Sequence, residues 1–403
     1  MFEKLKRTKV FRDPLYGYIQ VDYKIISDLI DSREVQRLRR IRQLSGVSMV
    51  FQTAEHTRFT HSLGAYQMAN LVLQNVDGIE VLDEYKSIIF LCAALLHDVG
   101  HGPYSHAFES VMNLSHEEMT VKIILSPDTE INKILSQYEN LATDIASVIA
   151  HDNRFPLLEA LVSSQLDVDR MDYLSRDAYF TGAAYGHIDY YRILRSMKIV
   201  NNKLCVRASG VHSIESYLMS RYHMYFQVYY HPIARSYESL LENIYRRVND
   251  LVAEGKKIDA PIEAFLKVIN NNCDVESYID LDDAYVNGFI KQFTKSSDDI
   301  LRKLSLCLIN RHLYRYIDLA DDPDPEEIEA IKSKYSEDVL KYYYLESKVE
   351  GVAYSIYKKT NINDIKVLLP NGKIKSLEQY SPIVKSLSIS SLKTVNRIYY
   401  LED

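Results

Sequence analysis

The chain has 403 residues, of which 47% are hydrophobic, and its formal net charge is −7 at pH 7. This length and apolar content suit one large domain or two ordinary ones, and they exclude a disordered or fibrous protein. The acidic balance argues against a surface that coats nucleic acid generally, so an anionic ligand must be bound by a local basic cluster.

The spacing of the cysteines and the length of the apolar runs indicate the cellular compartment of the protein. Four cysteines are far apart and show neither CxxC nor zinc-ribbon spacing: Cys92, Cys205, Cys273 and Cys307. The opening segment MFEKLKRTKVFRD lacks the apolar core of a signal peptide, and the longest apolar run, IIFLCAALL at 88–96, is too short to span a bilayer. The sequence therefore predicts a cytoplasmic protein without membrane contact.

The pattern along the chain is helical between two β-prone ends. Near the N-terminus, KVFRDPLYGYIQV places turn residues between β-prone pieces. Apolar residues then recur at spacings of three and four, as in FLCAALL, IASVIA, IESYLM and LLENIYRRV, which is typical of helices. Near the C-terminus, IKVLLPNGKIKSL holds an Asn-Gly pair between apolar-alternating runs and predicts a hairpin.

The segment DLADDPDPEEIEA, residues 318–330, predicts the main boundary. It holds seven carboxylates, and Asp324 followed by Pro325 is typical of an N-cap and a first helical residue. We expect a mainly α domain over residues 1–322 and a small C-terminal α+β appendage over residues 323–403.

The histidines are crowded into one part of the chain. Six of the twelve, at positions 56, 61, 97, 101, 106 and 116, fall within 61 consecutive residues. A lone helical histidine is more often a structural residue than a ligand, but that explanation must be repeated here for each residue. The crowding favours a functional site.

The stretch HDVGHGPYSH, residues 97–106, holds three of these histidines. The preceding apolar run predicts a buried helix that ends at Gly100, which puts His97 and Asp98 on its last turn, where both can converge on one ion. Imidazole and carboxylate are ordinary ligands for Zn, Mn, Fe, Ni or Co. A second HD pair, at residues 151–152, lacks the following histidines, so the dipeptide alone predicts little.

Two further segments offer ligands. HTRFTHSLG places Arg58 three residues before His61, and QLDVDRMDYLSRD packs four aspartates, at 167, 169, 172 and 177, into eleven residues. Clustered carboxylates raise one another's pKa unless a cation or hydrogen bonds intervene. The residues alone leave two explanations open, a metal site and a solvated acidic helix face.

The ordered set His61, His97-Asp98 and Asp169 resembles the H…HD…D signature of the HD-domain phosphohydrolase superfamily. Seven segments occur in the order seen in its deoxynucleoside triphosphate triphosphohydrolase branch: DPLYGYI, QRLRRIRQL, HTRFTHSLG, HDVGHGPYSH, SHEE, LDVDRMDYLSRD and YFQVYYHP. The resemblance covers residues 8 to 320 and implies an HD-domain helical bundle. We expect no SAM-like domain ahead of it.

The resemblance implies a metal-dependent hydrolysis at the α-phosphorus, which yields a deoxynucleoside and inorganic triphosphate. The ligands of the metal (Mn, Fe, Zn, Ni or Co) would be His61, His97, Asp98 and Asp169, and Mg would accompany the phosphates. The 5′-oxygen leaves poorly unless it is protonated, so we expect a positioned acid, for which His106 is the candidate. Its expected partners are His101 and His116, with Glu109 and Glu117 orienting them.

The resemblance also implies residues that bind the substrate. The residues expected to hold phosphates are Arg58, Arg170 and Arg221. The residues expected around the nucleoside are Gln43, Tyr173, Asp177, Tyr225 and Tyr229, and close packing against the sugar would exclude a 2′-hydroxyl. The chain departs from the family at Arg170, Tyr225 and Glu109, where some members have lysine, histidine and aspartate. No catalytic role is assigned to His56 and His187.

The basic segment REVQRLRRIRQLSG is either the solvated face of an amphipathic helix or part of a nucleotide site. The resemblance favours the second, because Lys9, Asp31 and Arg39 match residues that bind an activating guanine nucleotide, dGTP or GTP, between subunits. Arg311 and Arg315 would join from another chain. The expected assembly is a homo-oligomer, a tetramer.

Two other functions stay open. One keeps the metal site but acts on a nucleoside monophosphate, a cyclic nucleotide or an alarmone. The other is a non-catalytic sensor of nucleotides or of single-stranded nucleic acid, a partner that the sequence allows but does not support. The extended set around Gln43, Arg58, Tyr173 and Asp177 favours a deoxynucleoside triphosphate.

Overall fold

The computed structural model describes residues 2–258, 260–350, 365–389 and 394–402. Helices dominate these residues, which confirms the mainly α prediction. Those in the first half are α1 Lys24–Asp31, α2 Arg33–Arg37, α3 Arg58–Asn75, α4 Glu84–Leu96, α5 His106–Met112, α6 His116–Leu125, α7 Glu130–Leu135, α8 Leu141–Ala150, α9 Pro156–Val162 and α10 Val168–Thr181. Those that follow are α11 Tyr190–Ser196, α12 Val211–Met224, α13 Pro232–Ala253, α14 Glu263–Ile269, α15 Val275–Ile279, α16 Asp283–Phe293, α17 Asp299–Ile309, α18 Pro325–Lys332, α19 Glu337–Tyr343, α20 Leu377–Tyr380 and α21 Pro382–Ile389.

Short strands form three small sheets. The strands are β1 Lys4–Asp13, β2 Gly17–Tyr23, β3 Met197–Val200, β4 Lys203–Arg207, β5 Arg315–Asp318, β6 Tyr344–Glu350, β7 Lys366–Leu368, β8 Ile374–Ser376 and β9 Thr394–Tyr400. The sheet orders are β1-β2, β3-β4-β7-β8 and β5-β9-β6. The β-prone pieces near the N-terminus form paired strands, since β1 pairs antiparallel with β2. The predicted C-terminal hairpin is also present, since β7 pairs antiparallel with β8 across Asn371 and Gly372. The glycine has φ +79°, a value that favours glycine in this turn.

The C-terminal sheets mix strands from both sides of residue 322. β4 pairs in parallel with β7, and β5 pairs with β9. The division into residues 1–322 and 323–403 therefore stays a prediction. The predicted helix start at this boundary is confirmed. Asp324 accepts a hydrogen bond from the amide of Glu326 at 2.9 Å and caps α18, which begins at Pro325.

Three helices build the centre of the N-terminal half. α3 packs against α10 and α4, and the residues of α4 from position 88 to 96 are all buried. Gly64 permits the contact of α3 with α10, because a Cβ there would lie 1.9 Å from Asp172 Oδ1. Within the described part of the chain, no helix combines the length and the apolar character needed to cross a membrane.

The end of α4 differs from the prediction. The helix ends at Leu96 instead of Gly100, and tight turns follow. In these turns the amide of Val99 donates to the carbonyl oxygen of Leu96, and the amide of His101 donates to the carbonyl oxygen of Asp98. Gly100 does not stop the helix. It allows a close approach of α6, since a Cβ there would lie 2.3 Å from the carbonyl oxygen of His116.

Candidate metal centre and active site

Side chains that are far apart in sequence converge between α3, α4 and α10. The Nε2 atoms of His61 and His97 are 3.3 Å apart, and Asp169 Oδ1 lies 3.1 and 3.4 Å from them. Asp98 adds a fourth donor, since its two carboxylate oxygens lie 3.4 Å from His97 Nε2 and 3.7 Å from His61 Nε2. The structure thus brings together all four residues predicted as metal ligands.

The chemistry and spacing of these donors fit a divalent metal. Metal–ligand bonds of about 2.0–2.2 Å place neighbouring donors about 3.0–3.6 Å apart. The other nitrogen of each imidazole has its own partner: His61 Nδ1 lies 2.8 Å from Asp172 Oδ2, and His97 Nδ1 lies 2.9 Å from the carbonyl oxygen of Ala94. Donation from Nδ1 leaves the Nε2 lone pair free for a metal.

The two carboxylates of the cluster are held in their ionised form. Burial raises the pKa of Asp169, but the adjacent imidazoles of His61 and His97 outweigh it and keep that pKa well below its usual range. Burial also raises the pKa of Asp98, but the charges of Arg58 and of the neighbouring imidazoles together lower it well below its usual range. Ionised carboxylate is the form that binds a metal.

A buried ionic network lies behind the cluster. Arg176 donates to the two oxygens of Asp172 at 2.9 and 3.0 Å and to Asp13 Oδ2 at 2.9 Å. The hydroxyl of Tyr16 donates to Asp172 Oδ1 at 2.7 Å. The network fixes the carboxylate that orients His61. Sequence reasoning noted the aspartate only as one of four and missed its partners, although an Asp–Arg pair at i, i+4 is a readable signal.

A second cluster joins three imidazoles through one carboxylate. Glu109 Oε1 lies 2.9 Å from His101 Nδ1, and its Oε2 lies 3.2 Å from His116 Nδ1 and 3.5 Å from His106 Nδ1. His101 Nε2 also lies 3.3 Å from Asp98 Oδ1. The predicted catalytic histidines therefore form one group that touches the metal cluster.

The members of the second cluster differ in proton affinity. Burial and the charge of Arg58 together lower the pKa of His101 to about 4. Burial raises the pKa of Glu109, but hydrogen bonds with the three histidines outweigh it and keep the carboxylate ionised. The His106 side chain is 74% exposed and can exchange protons with a ligand. Glu117 lies exposed at the start of α6, and no ion pair among the described residues joins it to this cluster.

A cavity of about 460 Å³ opens over both clusters. Its lining includes Gln43, Arg58, Asp98, His101, His106, His116, Asp169, Tyr173, Asp177, Tyr225 and Tyr229. Arg58 bridges its two sides, because Nη1 pairs with Asp98 while Nε donates to Ser105 Oγ at 2.8 Å. The cavity places cations and imidazoles beside aromatic rings, a combination that suits a phosphorylated, ring-containing ligand.

One wall of this cavity is built around Asp177. Tyr229 donates its hydroxyl to Asp177 Oδ2 at 2.6 Å, and His56 Nε2 lies 2.8 Å from Asp177 Oδ1. His56 stacks on Phe180 with ring centroids 4.6 Å apart. Sequence reasoning gave His56 no role, and no local motif ties it to an aspartate 121 residues away. A π-helical turn at Tyr225–Tyr229 shapes the wall, and such turns often occur at functional sites.

The two arginines that were predicted to bind phosphate, besides Arg58, are partly paired. Arg170 pairs with Asp167, and Arg221 Nη1 donates to Gln165 Oε1 at 2.8 Å. The Nε atoms of both arginines are buried and lack a hydrogen-bond partner within the described ranges, as does Gln43 Oε1. Gln43 lines the cavity described above, whereas the lining includes neither Arg170 nor Arg221.

The residues predicted for an activating nucleotide lie at the surface. Lys9 Nζ pairs with Asp31 Oδ2 at 2.6 Å, and the guanidinium of Arg39 covers the ring of Phe59 at 3.6 Å. Elsewhere, Arg311 and Arg315 line a separate cavity of about 560 Å³. Arg311 donates to the carbonyl oxygen of Met49 at 2.9 Å, and Arg315 pairs with Glu402 at 3.0 Å.

The fold and the site define a helical protein whose His/Asp cluster can hold a divalent metal beside a pocket for an anionic ligand. Comparison with known families agrees with this class: the HD domain matches residues 58–177, and the HD associated region matches residues 188–399. The chain belongs to the HD-domain phosphohydrolase family. The family expected from the sequence motifs is confirmed.

The chain is also similar to three individual proteins. It is 39% identical to the uncharacterized protein YwfO of Bacillus subtilis, over 99% of this chain and 94% of that protein. The crystal structure of a phosphohydrolase from Bacteroides thetaiotaomicron superposes with a TM-score of 0.85 at 26% identity, covering 98% of this chain and 100% of that one. The deoxynucleoside triphosphate triphosphohydrolase SAMHD1 homolog of Dictyostelium discoideum is 26% identical over 79% of this chain, which spans 61% of its length.

Proposed function

We propose that the protein hydrolyses deoxynucleoside triphosphates to a deoxynucleoside and inorganic triphosphate. The observation that carries the proposal is the single cavity in which the His/Asp metal cluster, the imidazole–carboxylate cluster and an aromatic wall meet. The activity for which the similar Dictyostelium protein is named supports the same substrate class.

The metal cluster and the arginines would hold the triphosphate. His61, His97, Asp98 and Asp169 are the proposed ligands of Mn, Fe, Zn, Ni or Co, with Mg on the nucleotide phosphates. Such a metal supplies Lewis acidity toward phosphate oxygens and lowers the pKa of water that it binds. Arg58 contributes a fixed positive charge next to that site, and Arg170 and Arg221 are the other proposed donors to phosphate oxygens.

His106 is the proposed acid for the leaving 5′-oxygen. It lines the cavity, its side chain is 74% exposed, and its Nδ1 lies 3.5 Å from the ionised Glu109. His101 stays neutral at neutral pH because its pKa is lowered to about 4, so it is suited to accept or donate a hydrogen bond without adding charge. His116 shares the same carboxylate, which couples the three rings.

The aromatic wall would receive the nucleoside. Tyr173 and Tyr225 would offer ring faces to the nucleoside. Asp177, whose two oxygens contact His56 and Tyr229, would accept a further hydrogen bond from a sugar hydroxyl. Gln43 Oε1 is buried without a partner in the described part of the chain, so it can accept a hydrogen bond from the ligand. A ring packed against the sugar excludes a 2′-hydroxyl by volume, which would select deoxynucleotides.

We also propose a regulatory nucleotide site at the surface. Lys9, Asp31 and Arg39 would bind dGTP or GTP between subunits of a homotetramer, with Arg311 and Arg315 from another chain. The salt bridge of Lys9 with Asp31 leaves both side chains partly exposed, at 34% and 61%, and accessible to a nucleotide. If dGTP changes neither the oligomeric state nor the rate on other dNTPs, this part is wrong.

The direct test is a substrate panel. Purified protein, reconstituted with Mn after chelation, is incubated with each dNTP and each NTP, with and without dGTP, and the phosphate product is identified by anion exchange. The proposal expects triphosphate from dNTPs and far less from NTPs. Hydrolysis of monophosphates, cyclic nucleotides or alarmones instead would favour the alternative HD activity, and binding without turnover would favour a sensor.

A further inference from the structure

The turn that precedes His106 has an unusual backbone. Tyr104 and Ser105 adopt φ values of +55° and +49°, and neither is a glycine. In this region the Cβ atom crowds the neighbouring carbonyl, so two successive residues rarely adopt it without outside support. Strained backbone at the entrance to a reactive side chain is a feature of functional sites. We call residues 102–106 the His106 turn.

The support comes from α16, which lies in the HD associated region. The amide of Tyr104 donates to Asp283 Oδ1 at 2.8 Å, and its hydroxyl donates to Asn287 Oδ1 at 2.6 Å. Asp283 and Asn287 are four residues apart and therefore share a face of the helix. Tyr104 is 1% exposed, so one buried side chain is held at its backbone and at its tip by the same helix.

Asp283 also contacts a second segment of the chain, next to Gln43. Its second oxygen, Oδ2, accepts a hydrogen bond from the amide of Arg42 at 2.9 Å. The next residue, Gln43, lines the cavity, and its backbone N–H donates to the carbonyl oxygen of His56 at 3.0 Å. One buried carboxylate therefore joins the segment that carries Gln43 to the turn that carries His106.

We propose that Asp283 and Asn287 are positioning residues, which hold the His106 turn in the conformation that places the proposed acid over the substrate. This inference rests on the proposed function for its catalytic readout, while its structural readout is independent. Neither residue touches the substrate. Their effect passes through Tyr104 and, for Asp283, also through Arg42.

The first test breaks one hydrogen bond from both ends. Asn287→Ala and Tyr104→Phe should each lower kcat about tenfold with KM changed by less than about twofold, since small misplacements of a reacting group cost rate. The double variant should be no slower than either single variant, because both remove the same bond. Full kcat in the folded single variants would overturn the role of Asn287.

The second test changes the shared carboxylate. In Asp283→Asn the amide group can accept only one of the two backbone N–H groups, so kcat should fall and KM should rise, because the Gln43 segment is released as well. Asp283→Ala should be worse than Asp283→Asn. Asp274→Asn is the matched control: Asp274 caps α15 at the surface, the charge change is the same, and kcat should be unchanged.

Hydrogen exchange separates positioning from general stability. In Asp283→Asn the amides of Arg42 and Tyr104 should exchange at least about tenfold faster, while those of α3 and α10 keep their protection. Faster exchange throughout the molecule, or unchanged exchange at both amides, would overturn the inference. If the wild type cleaves no dNTP, the proposed function is wrong, and the exchange experiment still decides whether Asp283 holds the turn.

Discussion

His61 Nδ1 lies 2.8 Å from Asp172 Oδ2, and this contact joins the proposed metal centre to the buried network of Arg176, Tyr16 and Asp13. The contact fixes the imidazole so that Nε2 faces the other donors. A carboxylate in this position also makes the ligand nitrogen more basic.

Removing the charge of Asp172 should weaken metal binding. Asp172→Asn is expected to bind Mn about 10–100-fold more weakly, because the amide orients His61 poorly and no longer polarises it. Competition with a chelator measures the affinity without any need for activity. Asp144→Asn is the control, since Asp144 is also buried but pairs with Arg154 at 2.7 Å, away from the cluster. Equal affinities of the Asp172 variant and the wild type would contradict the assignment.

Loss of His106 should affect the reaction and not the metal. His106→Ala is expected to lower kcat by about 10²–10⁴, the usual contribution of a positioned acid, while the metal content stays the same. The matched control is His212→Ala, because His212 is also exposed and pairs with a glutamate three residues on, Glu215, at 2.8 Å. A His106 variant that is as active as the control would remove the acid assignment.

Alanine substitutions at Gly64 and Gly288 should change the stability of the protein in opposite directions. A methyl group at Gly64 would lie 1.9 Å from Asp172 Oδ1, so Gly64→Ala should destabilise the protein by about 1–3 kcal/mol and reduce its metal content. Gly288, inside α16, has open space around its Cβ position, and Gly288→Ala should stabilise by about 0.5–1 kcal/mol. Thermal unfolding and metal analysis check both, and a Gly64 variant with full metal content would contradict the packing argument.

The titration of Asp283 should appear in the pH dependence of stability. Burial raises the pKa of Asp283 to about 6, although hydrogen bonds from the amides of Arg42 and Tyr104 lower it. A carboxyl whose pKa is raised on folding contributes stability that is complete below about pH 4, its unfolded pKa, and is lost as the pH rises through about 6. Relative to Asp283→Asn, the wild type should therefore lose about 2 kcal/mol of unfolding free energy between pH 4 and pH 6.

Urea unfolding of both proteins across this range measures the difference. The titratable and charged groups facing Asp283 are Arg37, Arg42, Tyr104, Tyr237 and Tyr245, together with Asp282 on its own helix. The arginines and tyrosines keep one charge state over these pH values. Asp282 is present in both proteins with its partner Arg40, so parallel pH curves would mean that Asp283 does not titrate as described.

The metal cluster could be predicted from sequence because each ligand lies in a short, recognisable motif. The positioning role of Asp283 could not be predicted, because its two hydrogen-bond partners are 241 and 179 residues away. Both partners are backbone amides, which every residue except proline has, so no residue type in the sequence indicates the contact. Gly100 shows a different limit. The sequence predicted that Gly100 ends α4, which is wrong. The glycine allows the close approach of α6, and that proximity is visible only in three dimensions.

In the proposed reaction, water attacks the α-phosphorus of a deoxynucleoside triphosphate at this site. The most direct measurement is turnover of a dNTP by the metal-loaded protein in ¹⁸O-labelled water, with mass analysis of both products. Attack at the α-phosphorus places one ¹⁸O atom in inorganic triphosphate and none in the deoxynucleoside. Release of orthophosphate or pyrophosphate, or ¹⁸O in the deoxynucleoside, would contradict the account.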